Sequence, residues 1–186
     1  MTSFVVSRTS IEGLGVVERK PVSDARGFLC RIFCTDELNA VGWHGSIAQI
    51  NHTLTERRGT IRGLHFQRPP HAEFKLVSCL RGEVWDVAVD LRANSATFLQ
   101  WHGERLSAEN HRALLIPAGF AHGFQALCDG AELLYCHSAA YFQAAESGLN
   151  PMDPRLGLAW PLPISNVSSR DSGQPFLTAG FAGLSL

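Results

Sequence analysis

A chain of 186 residues, 45% hydrophobic and 18% charged, carries enough apolar material for one packed core and too much to remain disordered. Its formal net charge of −1 leaves no basic surplus for a nucleic-acid backbone or an anionic membrane, although a local basic cluster can still hold one phosphate group. No apolar run reaches the roughly 20 residues that a membrane-spanning helix requires, and MTSFVVSRTS at the start lacks the charged-then-apolar pattern of a signal peptide. The cysteines, Cys30, Cys34, Cys79, Cys128 and Cys136, are odd in number and form no CxxC pair. Free, buried thiols in a reducing cytoplasm are expected, since a Cys30/Cys34 metal or redox pair would lack its second half.

Short strands are predicted at 13–20 and 28–34, followed by a helix over 35–41 that Thr35 or Asp36 would cap. Further strands follow at 46–53, 74–80, 83–91, 98–106, 113–117, 122–127 and 131–139, separated mostly by Gly, Pro, Asn or Asp. SAEN, 107–110, reads as a single turn. Many short strands with closely spaced turn signals predict an all-β sandwich or barrel built as one domain over 1–186. In 84–91 the alternation puts Trp85, Val87, Val89 and Leu91 on one face, expected to pack on a neighbouring sheet. Val84, Asp86, Ala88 and Asp90 form a mixed face, as expected for a strand lining a polar cavity. From 140 onward, Pro151, Pro154, Pro161, Pro163 and Pro175 predict an irregular tail of short helical turns and loops over the barrel.

Within IRGLHFQRPPHAEFKLVSC, 61–79, His65 and Lys75 are lone ionisable residues in strand-like runs. A histidine in a strand is more often structural. Here Arg62, Lys75, Asp86 and Asp90 add charge that is almost never buried unpaired, so a cavity lined by these groups accounts for them better than a dry core. IPAGFAHGF, 116–124, contains Pro117, Gly119 and His122 in the PxGxxH pattern of the second cupin motif. The first, metal-binding motif is incomplete: Gln67 stands at its second histidine position and Glu73 is too distant. One clear ligand falls short of the three or four a divalent metal needs. Tyr135 in an apolar strand ordinarily packs with its hydroxyl satisfied, and Asp171 in a loop ordinarily forms a turn.

Together, DARGF, RGLHFQ, KLVSCLRGEVWDVAVDLR, LSAEN, IPAGFAHGFQAL and AELLY closely resemble the dTDP-4-dehydrorhamnose 3,5-epimerase family, over roughly residues 13–175. The resemblance implies a cupin-type jelly-roll barrel, a homodimer, and epimerisation, with no cofactor and no metal, of a nucleoside-diphosphate 4-keto-6-deoxy sugar. It implies His65 as base, Asp171 as the carboxylate orienting it, Lys75 as the cation at the keto oxygen and Tyr135 as proton donor. For substrate binding it implies Arg26 and Arg62 at the pyrophosphate, Gln49 and Asn51 at the nucleoside end, and His122 as a further contact. Tyr141 corresponds to an aromatic that stacks on the base, Glu146 to a carboxylate contact and Arg170 to a basic neighbour of Asp171.

Three positions and one segment depart from the family pattern: Arg31 for a glutamate, Ala140 for the first of two tyrosines, Glu73 for a glutamine, and the segment PMDP at 151–154. Arg31 is expected either to change the preferred nucleotide or to turn outward to a phosphate or a carboxylate such as Glu73. The rival readings are a mono-epimerase for a modified sugar or another nucleotide, a non-catalytic sugar-nucleotide-binding cupin, and a metal-dependent cupin dioxygenase.

Overall fold

The computed structural model describes residues 3–186. In chain order its elements are β1 (Phe4–Arg8), β2 (Gly15–Arg19), β3 (Val22–Asp24), β4 (Gly27–Leu29), α1 (Thr35–Asn39), β5 (Gln49–Thr55), β6 (Thr60–Gln67), β7 (Lys75–Arg81), β8 (Glu83–Asp90), β9 (Trp101–Ser107), β10 (Arg112–Ile116), β11 (Phe120–Ala126), β12 (Ala131–His137), a 3-10 turn at Gln143–Ala145, β13 (Glu146–Gly148), β14 (Asn166–Val167) and α2 (Ser169–Ser172). One sheet runs β1-β2-β10-β7-β12-β5 and the other β13-β6-β11-β8-β9, with β14 added parallel to β6. β3 and β4 form a separate hairpin. The architecture is the expected all-β jelly roll with short peripheral helices.

Strand alternation gives each sheet an inner and an outer face. The inner faces meet in a core that includes Val77, Leu114, Ile116 and Leu133 from the first sheet and Val84, Ala88, Phe120 and Phe124 from the second. Outside the first sheet, Leu38 of α1 and Trp43 are fully buried against Val17, Leu76, Leu115 and Cys136. Outside the second sheet, Leu149, Leu156 and Leu177 of the tail are buried against Leu64, Val87, Val89 and Leu91. The apolar face of 84–91 therefore packs beneath the C-terminal tail, and the mixed face turns toward the opposite sheet, correcting the expected direction of the apolar one. The tail is half of a second core, each buried leucine contributing at most about 1.5–3 kcal/mol.

Three local expectations are also corrected. Residues 30–34 lie outside any strand, and β4 ends at Leu29. Cys34, with no side-chain hydrogen bond, occupies the N-cap of α1 in place of Thr35 or Asp36. Asp90 is fully buried but takes no part in a cavity: it accepts hydrogen bonds from Arg92, Ser95 and Thr97, tying the turn that follows β8. The five cysteines are free as expected, with Cys79 and Cys136 buried and the other three half-buried.

Candidate active site

Between the sheets the side chains turn from apolar to polar, opening a pocket of roughly 210 Å³. Register explains its lining. In the first sheet, β12 places His137 beside Gln49 and Lys75, and Tyr135 beside Asn51 and Val77. In the second sheet, β11 places His122 beside His65 of β6 and Ala88 of β8. Gln49, Asn51, Arg62, His65, Lys75, His122, Tyr135, Tyr141 and Glu146, all expected from the sequence, line this one pocket.

His65 Nε2 lies 2.7 Å from Asp171 Oδ1. Asp171 is buried and belongs to α2, where its N–H donates to the Ser168 N-cap hydroxyl at 3.0 Å. Its other oxygen accepts the Gly63 N–H at 3.2 Å. Gly63 is needed there: its φ is +127°, and a Cβ would lie 2.5 Å from Gly123 Cα. Burial pushes the Asp171 carboxyl up, but His65, Gly63 and Ser168 outweigh it and hold the group below the usual carboxylate range. An ionised Asp171 fixes the ring and leaves the other nitrogen of His65 for the pocket.

His122 makes a second pair, Nε2 to Asp86 Oδ1 at 2.8 Å. Asp86 is fully buried, and desolvation raises its carboxyl despite the opposing influence of His122 and Lys75. Lys75 is buried, with Nζ 3.4 Å from the His65 carbonyl oxygen and 3.3 Å from Glu73 Oε1. Glu73 Oε2 accepts from Gln67 Nε2 at 3.0 Å and lies 3.3 Å from His137 Nδ1. The Tyr135 ring lies edge-on to His122 at 5.9 Å and is stacked with His137 at 6.0 Å. Burial pushes its phenol far above the ordinary value, keeping the O–H protonated and able to donate.

At the mouth, Tyr141 is 53% exposed and its O–H donates to Glu146 Oε2 at 2.7 Å. Arg170 pairs with the other oxygen of Glu146 from outside the lining, and the Tyr141 N–H donates to Gln49 Oε1 at 2.9 Å. Arg62 donates to the Leu54 carbonyl at 3.2 Å. Burial raises the Glu146 carboxyl, but Tyr141 and Arg170 hold it low.

Two expected positions lie elsewhere. Arg26 sits on the β3–β4 hairpin, exposed and paired with Asp24 at 2.6 Å. Arg31 turns outward to Glu37 Oε1 at 2.8 Å and the Ser3 hydroxyl at 3.0 Å. The carboxylate it meets is therefore Glu37, because Glu73 is engaged by Lys75 inside the pocket. Sequence reasoning gave His137 no role, took Asp86 only as cavity-lining charge, and named Glu73 as a departure from the family pattern and a candidate partner of Arg31. Strand parity with Tyr135 was the available signal for His137. Among the described residues, no group of three or more His, Cys, Asp or Glu side chains is arranged to hold a metal ion.

This arrangement puts a carboxylate-oriented imidazole, a buried ammonium and a protonated phenol around one space, as proton abstraction beside a carbonyl requires. The family model for dTDP-4-dehydrorhamnose 3,5-epimerase matches residues 8–179. A relative of that name from Shigella flexneri is 42% identical over 178 residues, covering 95% of this chain and 98% of its own. The crystal structure of the Bacillus anthracis dTDP-4-dehydrorhamnose 3,5-epimerase, with TDP and PPi bound, is 39% identical with a TM-score of 0.88, over 94% of this chain and 99% of that one. The Legionella pneumophila epimerase in complex with dTDP-4-keto-L-rhamnose is 37% identical with a TM-score of 0.88, over 93% and 92%. Fold, pocket and near full-length similarity agree: the chain belongs to the dTDP-4-dehydrorhamnose 3,5-epimerase family.

Proposed function

We propose that the protein epimerises a nucleoside-diphosphate 4-keto-6-deoxyhexose, with thymidine diphosphate as the nucleotide, at C3, C5 or both. The C4 ketone acidifies the neighbouring C–H bonds. His65 takes a proton from one of these carbons, and the electron pair left behind delocalises into the C4 carbonyl as an enolate. Lys75 stabilises the oxyanion, an interaction stronger in the transition state than in the ground state. Tyr135 returns a proton to the opposite face, inverting the carbon, and exchange with solvent resets both groups. Asp171 orients His65 and favours the imidazolium as it forms. None of these steps consumes a redox cofactor.

One observation carries this reading: His65, held by Asp171 at 2.7 Å, belongs to one sheet, and Tyr135 and Lys75 to the other, around one pocket. Base and acid on opposing walls suit inversion. Arg62 supports pyrophosphate binding, Gln49 and Asn51 the nucleoside, and His122 a sugar hydroxyl. Tyr141, backed by Glu146 and Arg170, supports base stacking. Five unpaired thiols suit a reducing cytoplasm. The exposed apolar hairpin that bears Arg26 suits a homodimer.

Solvent-deuterium incorporation tests the chemistry. Incubation in D2O with 4-keto-6-deoxyhexoses carried on dTDP, UDP, GDP and CDP is expected to place deuterium at C3, C5 or both, fastest on the dTDP sugar. No exchange at either carbon with any of the four would reject the reading.

A further inference from the structure

The pocket contains an ionic arrangement that the proton-transfer scheme leaves unused. Lys75 and His137 are direct cross-strand neighbours, and Glu73 reaches both, with Oε1 3.3 Å from Lys75 Nζ and Oε2 3.3 Å from His137 Nδ1. All three are largely buried: the Lys75, Glu73 and His137 side chains are 9%, 7% and 11% exposed. Gln67 donates to the same Glu73 oxygen that faces His137 and also holds the carbonyls of His71 and Ala140, anchoring the carboxylate to the pocket wall. Burial alone would raise Glu73, but His137 and Lys75 keep it in its ionised form.

A buried carboxylate beside the ammonium that must stabilise an enolate is a liability, since its field opposes the developing negative charge. Without His137 beside it, Glu73 would draw the ammonium toward itself and away from the carbonyl. His137 supplies the alternative partner. We infer that Glu73 and His137 form a coupled pair that positions Lys75, Glu73 fixing the ammonium and His137 restraining Glu73 so that Lys75 stays directed at the substrate carbonyl. The inference rests on the epimerase reading. Neither residue touches the reacting carbons; both act through Lys75.

The pair is tested first without substrate. In protein labelled with 15N-histidine, the His137 Nδ1 resonance is expected to move in E73Q, while that of His52, which pairs with Glu132 at 3.0 Å, stays in place. An unmoved His137 resonance overturns the pair. Kinetics then read its role. His137→Val is expected to lower kcat for deuterium exchange about tenfold or more, while dTDP binding by calorimetry changes less than about threefold. Adding E73Q to H137V is expected to recover most of that loss, because a neutral amide no longer competes for the ammonium. A merely structural role gives no such recovery, and a double variant as slow as H137V overturns the inference. His137→Asn replaces the valine variant if thermal melting shows that valine disturbs the fold. A wild-type protein inactive on every nucleotide sugar counts against the epimerase reading instead, and the resonance measurement still decides the pair.

Discussion

His65, Tyr135 and Tyr141 each do work that one substitution isolates. His65→Asn keeps a polar group near Asp171 but cannot accept a proton at the pocket. It is expected to fold and to lose at least about a hundredfold in exchange at both carbons, the usual scale for a general base. Tyr135→Phe removes the donor and leaves the base, so deuterium is still expected to enter while inverted product falls about a hundredfold. Comparing isotope content with stereochemistry in one product separates these two variants. A Tyr135→Phe enzyme with normal epimer yield would show that another group delivers the proton. Tyr141→Ala removes an exposed ring at the mouth, and calorimetry should record roughly 1–3 kcal/mol weaker dTDP binding, the range for stacking one base on an aromatic side chain.

Among the elements, β8 shows what the sequence discloses and what it does not. Its alternation was plain, and so was the mixed face that turns inward. Periodicity has no way to report which partner covers each face, and the partner of the apolar face is a tail with no periodic signal of its own. The same limit applies to α2, whose four residues are too few for a helical pattern, although Ser168 and Asp171 have the spacing of an N-cap and its bonded N–H. His65 and Asp171 lie 106 residues apart in the chain, so only the family resemblance could pair them. The end of β8 makes a separate prediction. Burial raises Asp90, but hydrogen bonds from Arg92, Ser95 and Thr97 outweigh it and bring the carboxyl down to about 2. Unfolded, the group titrates near 3.9, at about the ordinary aspartate value. A depressed folded pKa means that the stability contributed by Asp90 is fully present above about pH 4 and is lost as pH falls toward about 2. Asp90→Asn should flatten that acid limb in urea unfolding. At pH 7 it should cost roughly 3 kcal/mol, because Arg92 loses its buried partner.

At the scale of the molecule, the β3–β4 hairpin is the part that one chain does not explain. Val22, Phe28 and Leu29 are 72%, 65% and 77% exposed, an unusual concentration of apolar surface on one short hairpin. Arg26 lies within that hairpin, outside the pocket lining of its own chain, although the family resemblance implies a pyrophosphate contact for it. Both observations are reconciled if the hairpin packs on a second copy and delivers Arg26 to that copy's pocket. Sedimentation equilibrium should then find a dimer, and a Phe28→Ser, Leu29→Ser variant should shift it toward monomer. Arg26→Ala alone should remain dimeric and bind dTDP about tenfold to a hundredfold more weakly, the equivalent of losing one charge-assisted contact. Mixed dimers distinguish which pocket Arg26 serves. An R26A protomer keeps His65 but lacks the arginine, whereas an H65N protomer keeps the arginine but lacks the base. If the hairpin reaches across, an R26A/H65N heterodimer contains one complete site, and co-refolded mixtures should exceed the summed activity of the two parents. If Arg26 serves its own chain, no heterodimer contains a complete site, and mixing should add nothing.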